Sequence, residues 1–145
     1  MATQNISNTL ETSLAGAGQT MTYRGQLLKH HCNGGGWVPV EQSETDEREP
    51  YVAESVYVGP FAMVFGKARA SGNVRISERA KVFEGAQLSG NARISDDAMV
   101  FGNSKITGDA MVSGNSNVTD HAMVSGKAKI TGDAMVSGNS NVTDH

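Results

Sequence analysis

From Val56 to His145 the chain keeps one six-residue unit for 90 residues without an insertion, fifteen units in all. From Ala62 onward the first place is small, the third is Val, Ile, Leu or once Ala, and the fifth is Gly, Asp or Glu. Alternation at the first and third places puts both side chains on one side of a short strand, with the second and fourth facing away. A hairpin sheet would satisfy that alternation, but it turns at irregular spacing. A turn every six residues with one apolar side held inward is a chain coiling around itself, and three such sides close a triangular rung of eighteen residues.

The sequence tests that number independently. Phe65, Phe83 and Phe101 stand at the fourth place eighteen residues apart, while the eleven other fourth-place residues after Ala62 are Ser or Thr. Identical residues form such a ladder when equivalent sites sit one rung above another, about 4.8 Å apart. The expectation is an all-β fold, a single-stranded parallel β-helix of about five rungs, on the order of 24 Å long. Its 17 Gly and single Trp leave little bulky apolar volume, so the core must be thin and built from Ala, Val and Ile.

Two segments precede the repeats. Residues 1–20 are polar, with Ile6, Leu10 and Leu14 four apart and an Asn8/Glu11 capping pattern; they read either as a short helix or as a flexible tail. Residues 21–55 read as a strand, a triple-glycine bend, a second short strand and an acidic connection. A solenoid's first rung needs covering, so 21–55 is assigned as an N-terminal cap on 56–145, with Trp37 as the lid beside Val38 and Val40.

On this pattern the chain resembles the hexapeptide-repeat proteins, the left-handed parallel β-helix family that includes acyltransferases and γ-class carbonic anhydrases. GGGWV at 34–38 followed by YVGPFAMVFGKA at 57–68 resembles hexapeptide-repeat proteins of bacteria and their phages. The resemblance implies left-handed coiling and speaks weakly about activity. One departure stands out: the glycine falls two places after the aliphatic residue, as in VFGK and ITGD, rather than immediately after it. A second period crosses the first, since KITGDAMVSGNSNVTDH at 105–121 recurs unchanged at 129–145, a shift of 24 that is four units and not three. That shift moves every duplicated side chain to a different side of the triangle, which argues against a finely built catalytic surface there.

Enzymes of the resembling family rely on histidine, as zinc ligand or as base. His121 and His145 are copies at solvated corners. His30, His31 and Cys32 are consecutive on a strand and point to alternate sides, so they cannot readily share one metal. No catalytic residue, metal site or cofactor is expected. The second-place column Met63, Lys81, Met99 beside Phe65, Phe83 and Phe101 reads as an interface, with aromatic packing inside the solenoid as the other reading. Arg75, Arg93, Met111 and Lys129 stack on another side, where Glu78, Asp96, Asp97 and Asp133 are expected to neutralise them.

Residues 1–50 hold six acidic and three basic side chains and the rest nine of each, for a net charge of -3. That balance makes nucleic acid an unlikely partner. One cysteine allows no internal disulfide, and no leader or membrane-length apolar run is seen, so a cytoplasmic location is expected. The Ser/Thr ladder lacks any Thr-x-Thr array in the repeats, which disfavours ice binding. The last unit, SNVTDH, suggests an uncapped rung able to meet another copy end to end. The resulting expectation is a non-enzymatic scaffold acting by protein–protein contact or self-assembly, a trimer foremost. A phage-encoded inhibitor of a host system is one version, and an acyltransferase or carbonic anhydrase relative is the alternative.

Overall fold

In the computed structural model, residues 19–144 are described; the predicted 1–18 stretch of the tail and His145 lie outside them. A hairpin opens the fold, β1 (Thr20–Tyr23) pairing antiparallel with β2 (Gln26–His30), and β2 pairs antiparallel with β3 (Trp37–Pro39). The sequence reading took the first of these regions as one strand. The structure divides it at Arg24 and Gly25, both with positive φ (53° and 80°), as a tight type I′ hairpin turn requires.

Two-residue strands then recur every six residues: β4 (Tyr51–Val52), β5 (Tyr57–Val58), β6 (Met63–Val64) and onward to Met135–Val136, with four-residue strands at Met123–Gly126 and Asn141–Asp144. Parallel pairing joins each strand to the one eighteen residues later, for instance Met63 with Lys81 and Lys81 with Met99. The backbone N–H of residue i donates to the carbonyl of i+17, as in Lys81 to Ala98 at 3.0 Å. Three stacks result, an eight-stranded one that is antiparallel only through β1 to β3, a parallel six-stranded one and a parallel five-stranded one. We call them the phenylalanine face, the loop face and the arginine face after what each carries outward. The fold is a single-stranded parallel β-solenoid of about five turns, and its eighteen-residue register begins at Tyr51, one unit before Val56.

First-place and third-place side chains fill the interior, with Ala62, Val64, Val74, Ile76, Val82, Ile94 and Val100 inaccessible to solvent. Small residues are needed at the first place because each faces the corner of a narrow triangle. Serine serves where its hydroxyl finds a carbonyl three residues back, so buried Ser104 donates to Phe101 (2.8 Å) and Ser116 to Ser113 (2.6 Å).

The displaced glycine has a conformational cause. From Gly66 to Gly138 every fifth-place residue lies in the left-handed region, including Glu78, Glu84, Asp96 and Asp120 at φ 58° to 65°. A non-glycine residue there costs about 1–2 kcal/mol. Three of these acids recover part of it by accepting the backbone N–H of the glycine one rung on: Glu84 from Gly102 (3.0 Å), Asp96 from Gly114 (2.9 Å) and Asp120 from Gly138 (3.0 Å). At the cap Gln26 plays the same part, its Oε1 accepting from Gly66 (2.6 Å) while its Nε2 donates to the Gly66 carbonyl (2.9 Å).

Every edge of the first rung is covered. On the phenylalanine face β3 and the hairpin continue the sheet. On the arginine face Val58 donates to Asn33 (3.0 Å) and accepts from Gly36 (2.9 Å). A Cβ on Gly36 would lie 2.2 Å from the Gly59 carbonyl oxygen, so the backbones approach as only glycine permits. On the loop face Gln42 accepts from Val52 N–H (2.9 Å).

The lid is not Trp37. Neighbouring strand residues point to opposite sides, so Val38 enters the core while Trp37 faces outward, stacked on His30 with ring centroids 4.1 Å apart. Val40 is half-buried, its N–H donating to Leu27. His31 is buried in the same segment, with Nε2–H donating to the Val56 carbonyl at 2.8 Å.

Candidate functional site

The solenoid offers outward columns of side chains rather than a cleft, and each column descends from one place in the six-residue unit. On the phenylalanine face, Met63, Lys81 and Met99 stack in register beside Phe65, Phe83 and Phe101, as the sequence places them. The three rings lie parallel at 4.8 Å spacing, tilted by 1° and 5°. The column is nevertheless not an open patch at its start. Phe65 and Phe83 are 5% and 8% exposed, because each is sandwiched in the stack and Phe65 is closed by the edge of Tyr23 (5.0 Å, 80°) and by Leu28. Sequence reasoning missed this cover, since nothing in TYRGQLL tells which solenoid face the hairpin will extend. Met63, Lys81, Met99 and Phe101 remain half-buried, and further along the same face Met135 is 69% exposed. The accessible apolar side chains of the column are therefore Met99, Phe101 and, beyond the polar rung of Asn117 and Thr119, Met135.

The loop face is occupied at its start by the acidic connection. Arg69 donates to four backbone carbonyls, those of Ser43, Glu44, Asp46 and Glu49, at 2.6 to 2.8 Å. One guanidinium thus folds a charged segment whose carboxylates stay outside. Asp46, bonded to Arg48, has its carboxyl held below its ordinary pKa by that partner. Beyond the loop the face is a shallow groove of about 330 Å³ floored by Gln87, Ser71, Ser89 and Thr107.

On the arginine face Tyr57, Arg75, Arg93, Met111 and Lys129 stack in register. Three of the four acids expected to neutralise this stripe are engaged elsewhere. Asp96 accepts from Gly114, Asp97 pairs with Arg79 at 3.6 Å, and Asp133 accepts from Asn115 at 3.3 Å. Among the described residues neither Arg75 nor Arg93 has a carboxylate within 4.0 Å. Arg75 instead lies over the Tyr57 ring, 4.6 Å from its centroid.

The histidines do not converge. His30 is stacked on Trp37 and donates from Nδ1 to Gly35 at 2.7 Å; His31 is buried in the cap; His121 is an exposed corner. Burial pushes the His31 imidazole pKa below its ordinary value, against the raising effect of the Val56 carbonyl. Among the described residues no three His, Cys, Asp or Glu side chains gather closely enough to hold a metal ion, and no helix is long and apolar enough to cross a membrane.

Neither the curated proteins nor the solved structures compared with the chain gave a match. Residues 92–106 match the family model described as the YdcK beta solenoid repeat, a stretch that runs from Ala92 through the Lys105–Ile106 strand and makes up most of one rung. With the observed stacking, that match supports a place for the chain among β-helix repeat proteins.

Proposed function

We propose that the chain is a non-enzymatic β-solenoid scaffold that acts through protein–protein contact, with the phenylalanine face as its contact surface and a homotrimer as the first assembly to seek. The observation that carries this reading is the half-buried pair Met99 and Phe101 with the 69%-exposed Met135 on the same face, two rungs on and beyond the polar rung of Asn117 and Thr119. Methionine adapts to a partner's shape and aromatic rings supply contact area at low entropic cost, so such a run suits a contact surface. The cap supports the same reading by fixing the register of the rungs that carry the columns. The histidines support it as well, because His30 and His31 are spent on internal contacts of the cap.

Light scattering across a concentration series tests it, on the full chain and on Met99→Ser combined with Phe101→Ser. Phe83 is left intact because it packs within the chain. The reading expects a mass several times the 15.3 kDa of one chain, reduced to one chain by the double substitution. A monomer at every concentration, with no partner retained by the wild type that the variant loses, overturns it.

A further inference from the structure

The three faces differ in charge. The outward second-place and fourth-place residues of the arginine face from Tyr57 to Thr131 include Arg75, Arg93 and Lys129 and no acid. Those of the phenylalanine face from Met63 to Ser137 include Lys81 and no acid. Lys81 is half-buried between Met63 and Met99, with no carboxylate within 4.0 Å among the described residues. Carboxylates stand off a face only at the start of the loop face, where Arg69 holds the 43–49 segment. There Asp46 is paired with Arg48, and Glu41 and Glu49 line a groove of about 560 Å³ with Arg24 and Lys67 of the same chain. Glu44 lines the groove with Lys105 further along the face. Glu47, exposed in the turn at the tip of the segment, lines neither groove.

We propose that the phenylalanine face of one copy packs on the loop face of the next, with Lys81 meeting Glu47 at one end of the contact and Met135 meeting Met123 at the other. The inference rests on the phenylalanine face being the contact surface and names what covers it. A half-buried lysine in an apolar column loses water on contact and needs a carboxylate opposite. Two phenylalanine faces laid together bring none, because neither carries an outward acid, whereas the loop face brings its acidic tip. Height along the solenoid agrees. In a ring of copies whose solenoids run parallel to the symmetry axis, equivalent residues share one height, so only groups at similar heights can meet. Each turn of eighteen residues rises by one rung, 4.8 Å in the phenylalanine stack. Arg69, the anchor of the acidic segment, therefore falls between Met63 and Lys81 in height, and Met123 falls in the same way between Asn117 and Met135. Met123 and Met135 are the exposed methionines of the described repeats, at 44% and 69%, and Met123 is exposed although a strand flanks it on each side. The same rotation that sets the acidic tip against Lys81 thus sets the two exposed methionines against each other.

The test is light scattering of the full chain across a concentration series. Wild type is compared with Lys81→Glu, Glu47→Lys, the two together and Met123→Ser, and with Arg93→Glu, a charge reversal on the face outside the contact. The expected result is the mass of a closed ring for wild type, self-association weakened about tenfold by each single reversal at the Lys81–Glu47 pair, and association regained when both are reversed. Met123→Ser weakens it similarly and Arg93→Glu leaves it unchanged. Thermal unfolding of each variant should match wild type, since Glu47, Met123 and Arg93 are exposed, and it separates lost contact from lost fold. An assembly that Met99→Ser with Phe101→Ser dissociates, but that Lys81→Glu and Met123→Ser leave intact, overturns this contact while keeping the phenylalanine face as the surface. An assembly of two chains, the mark of face-on-face pairing, overturns it as well, and so does a double reversal that associates no better than either single one. A wild type that stays monomeric at every concentration overturns pairing between copies altogether.

Discussion

Replacing Phe83 with alanine removes the middle ring of a three-ring stack, and its cost distinguishes aromatic packing within the chain from a bare surface column. The ring is 8% exposed and has a parallel neighbour 4.8 Å away on each side. Because its edge reaches the corner of the solenoid, the transfer and cavity cost belongs at the low end of the Phe→Ala range, about 3 kcal/mol. Losing two ring–ring contacts adds about 1 kcal/mol. With a urea slope of about 2 kcal/mol per molar, a loss of about 4 kcal/mol moves the unfolding midpoint down by about 2 M. Phe101 is the comparison: it is half-buried with a ring on one side only, so Phe101→Ala should cost about 1–2 kcal/mol. The assay is equilibrium urea unfolding followed by circular dichroism, with unchanged slopes required before midpoints are compared, since a solenoid can unfold rung by rung. Equal costs for the two substitutions, both below about 1 kcal/mol, would refute the packed ladder.

Three further outcomes follow from the cap and the corners. His31 is neutral in the folded cap because burial disfavours its charged form, so the unfolded chain takes up the proton first. Its contribution is fully present above the ordinary imidazole value of 6.5 and is lost as pH falls from there through the lowered folded value; urea midpoints should show this in wild type and not in His31→Gln. Glu84→Ala removes the acceptor for Gly102 N–H and should cost about 0.5–1 kcal/mol, while Glu84→Gly loses the same bond but relieves the left-handed strain and should be near neutral; equal losses in thermal melts would refute the corner account. Arg69→Leu should release the 43–49 segment, seen as several-fold faster cleavage there by a glutamate-specific protease with the global melting point little changed.

Much of the architecture was legible because the repeat is both strict and short. The eighteen-residue rung follows from the phenylalanine spacing alone, and the observed register Lys81 to Met99 repeats it. The duplicated segment shows why the faces were harder to read. Met111 and Met135 stand at the same point of identical seventeen-residue stretches, yet Met111 lies on the arginine face between Arg93 and Lys129, and Met135 lies on the phenylalanine face, where its strand is the last of the stack and leaves it 69% exposed. Local sequence cannot decide this, because the solenoid phase at each copy does. The segment before the repeats was not legible in its parts. Trp37 is the bulkiest apolar residue there, yet strand alternation sends Val38 inward, and the buried polar residue of the segment is His31, which hydrogen-bonds the Val56 carbonyl. The acids beside the arginine stripe were harder to place for a similar reason: linear proximity does not show that corner geometry pairs Asp96 with the following rung and Asp133 with the preceding one.

Both binding readings rest on outward columns spaced by eighteen residues, and the duplication supplies the rival spacing of 24. Pairwise disulfide formation in a Cys32→Ser background separates them. Gln87→Cys with Lys105→Cys places two thiols on adjacent parallel strands, about 4.8 Å apart at the backbone and within reach of a bridge. Gln87→Cys with Met111→Cys places them on different faces. The account predicts rapid, near-complete oxidation of the first pair and none of the second under mild oxidant; bridging of the second pair in preference to the first would contradict it.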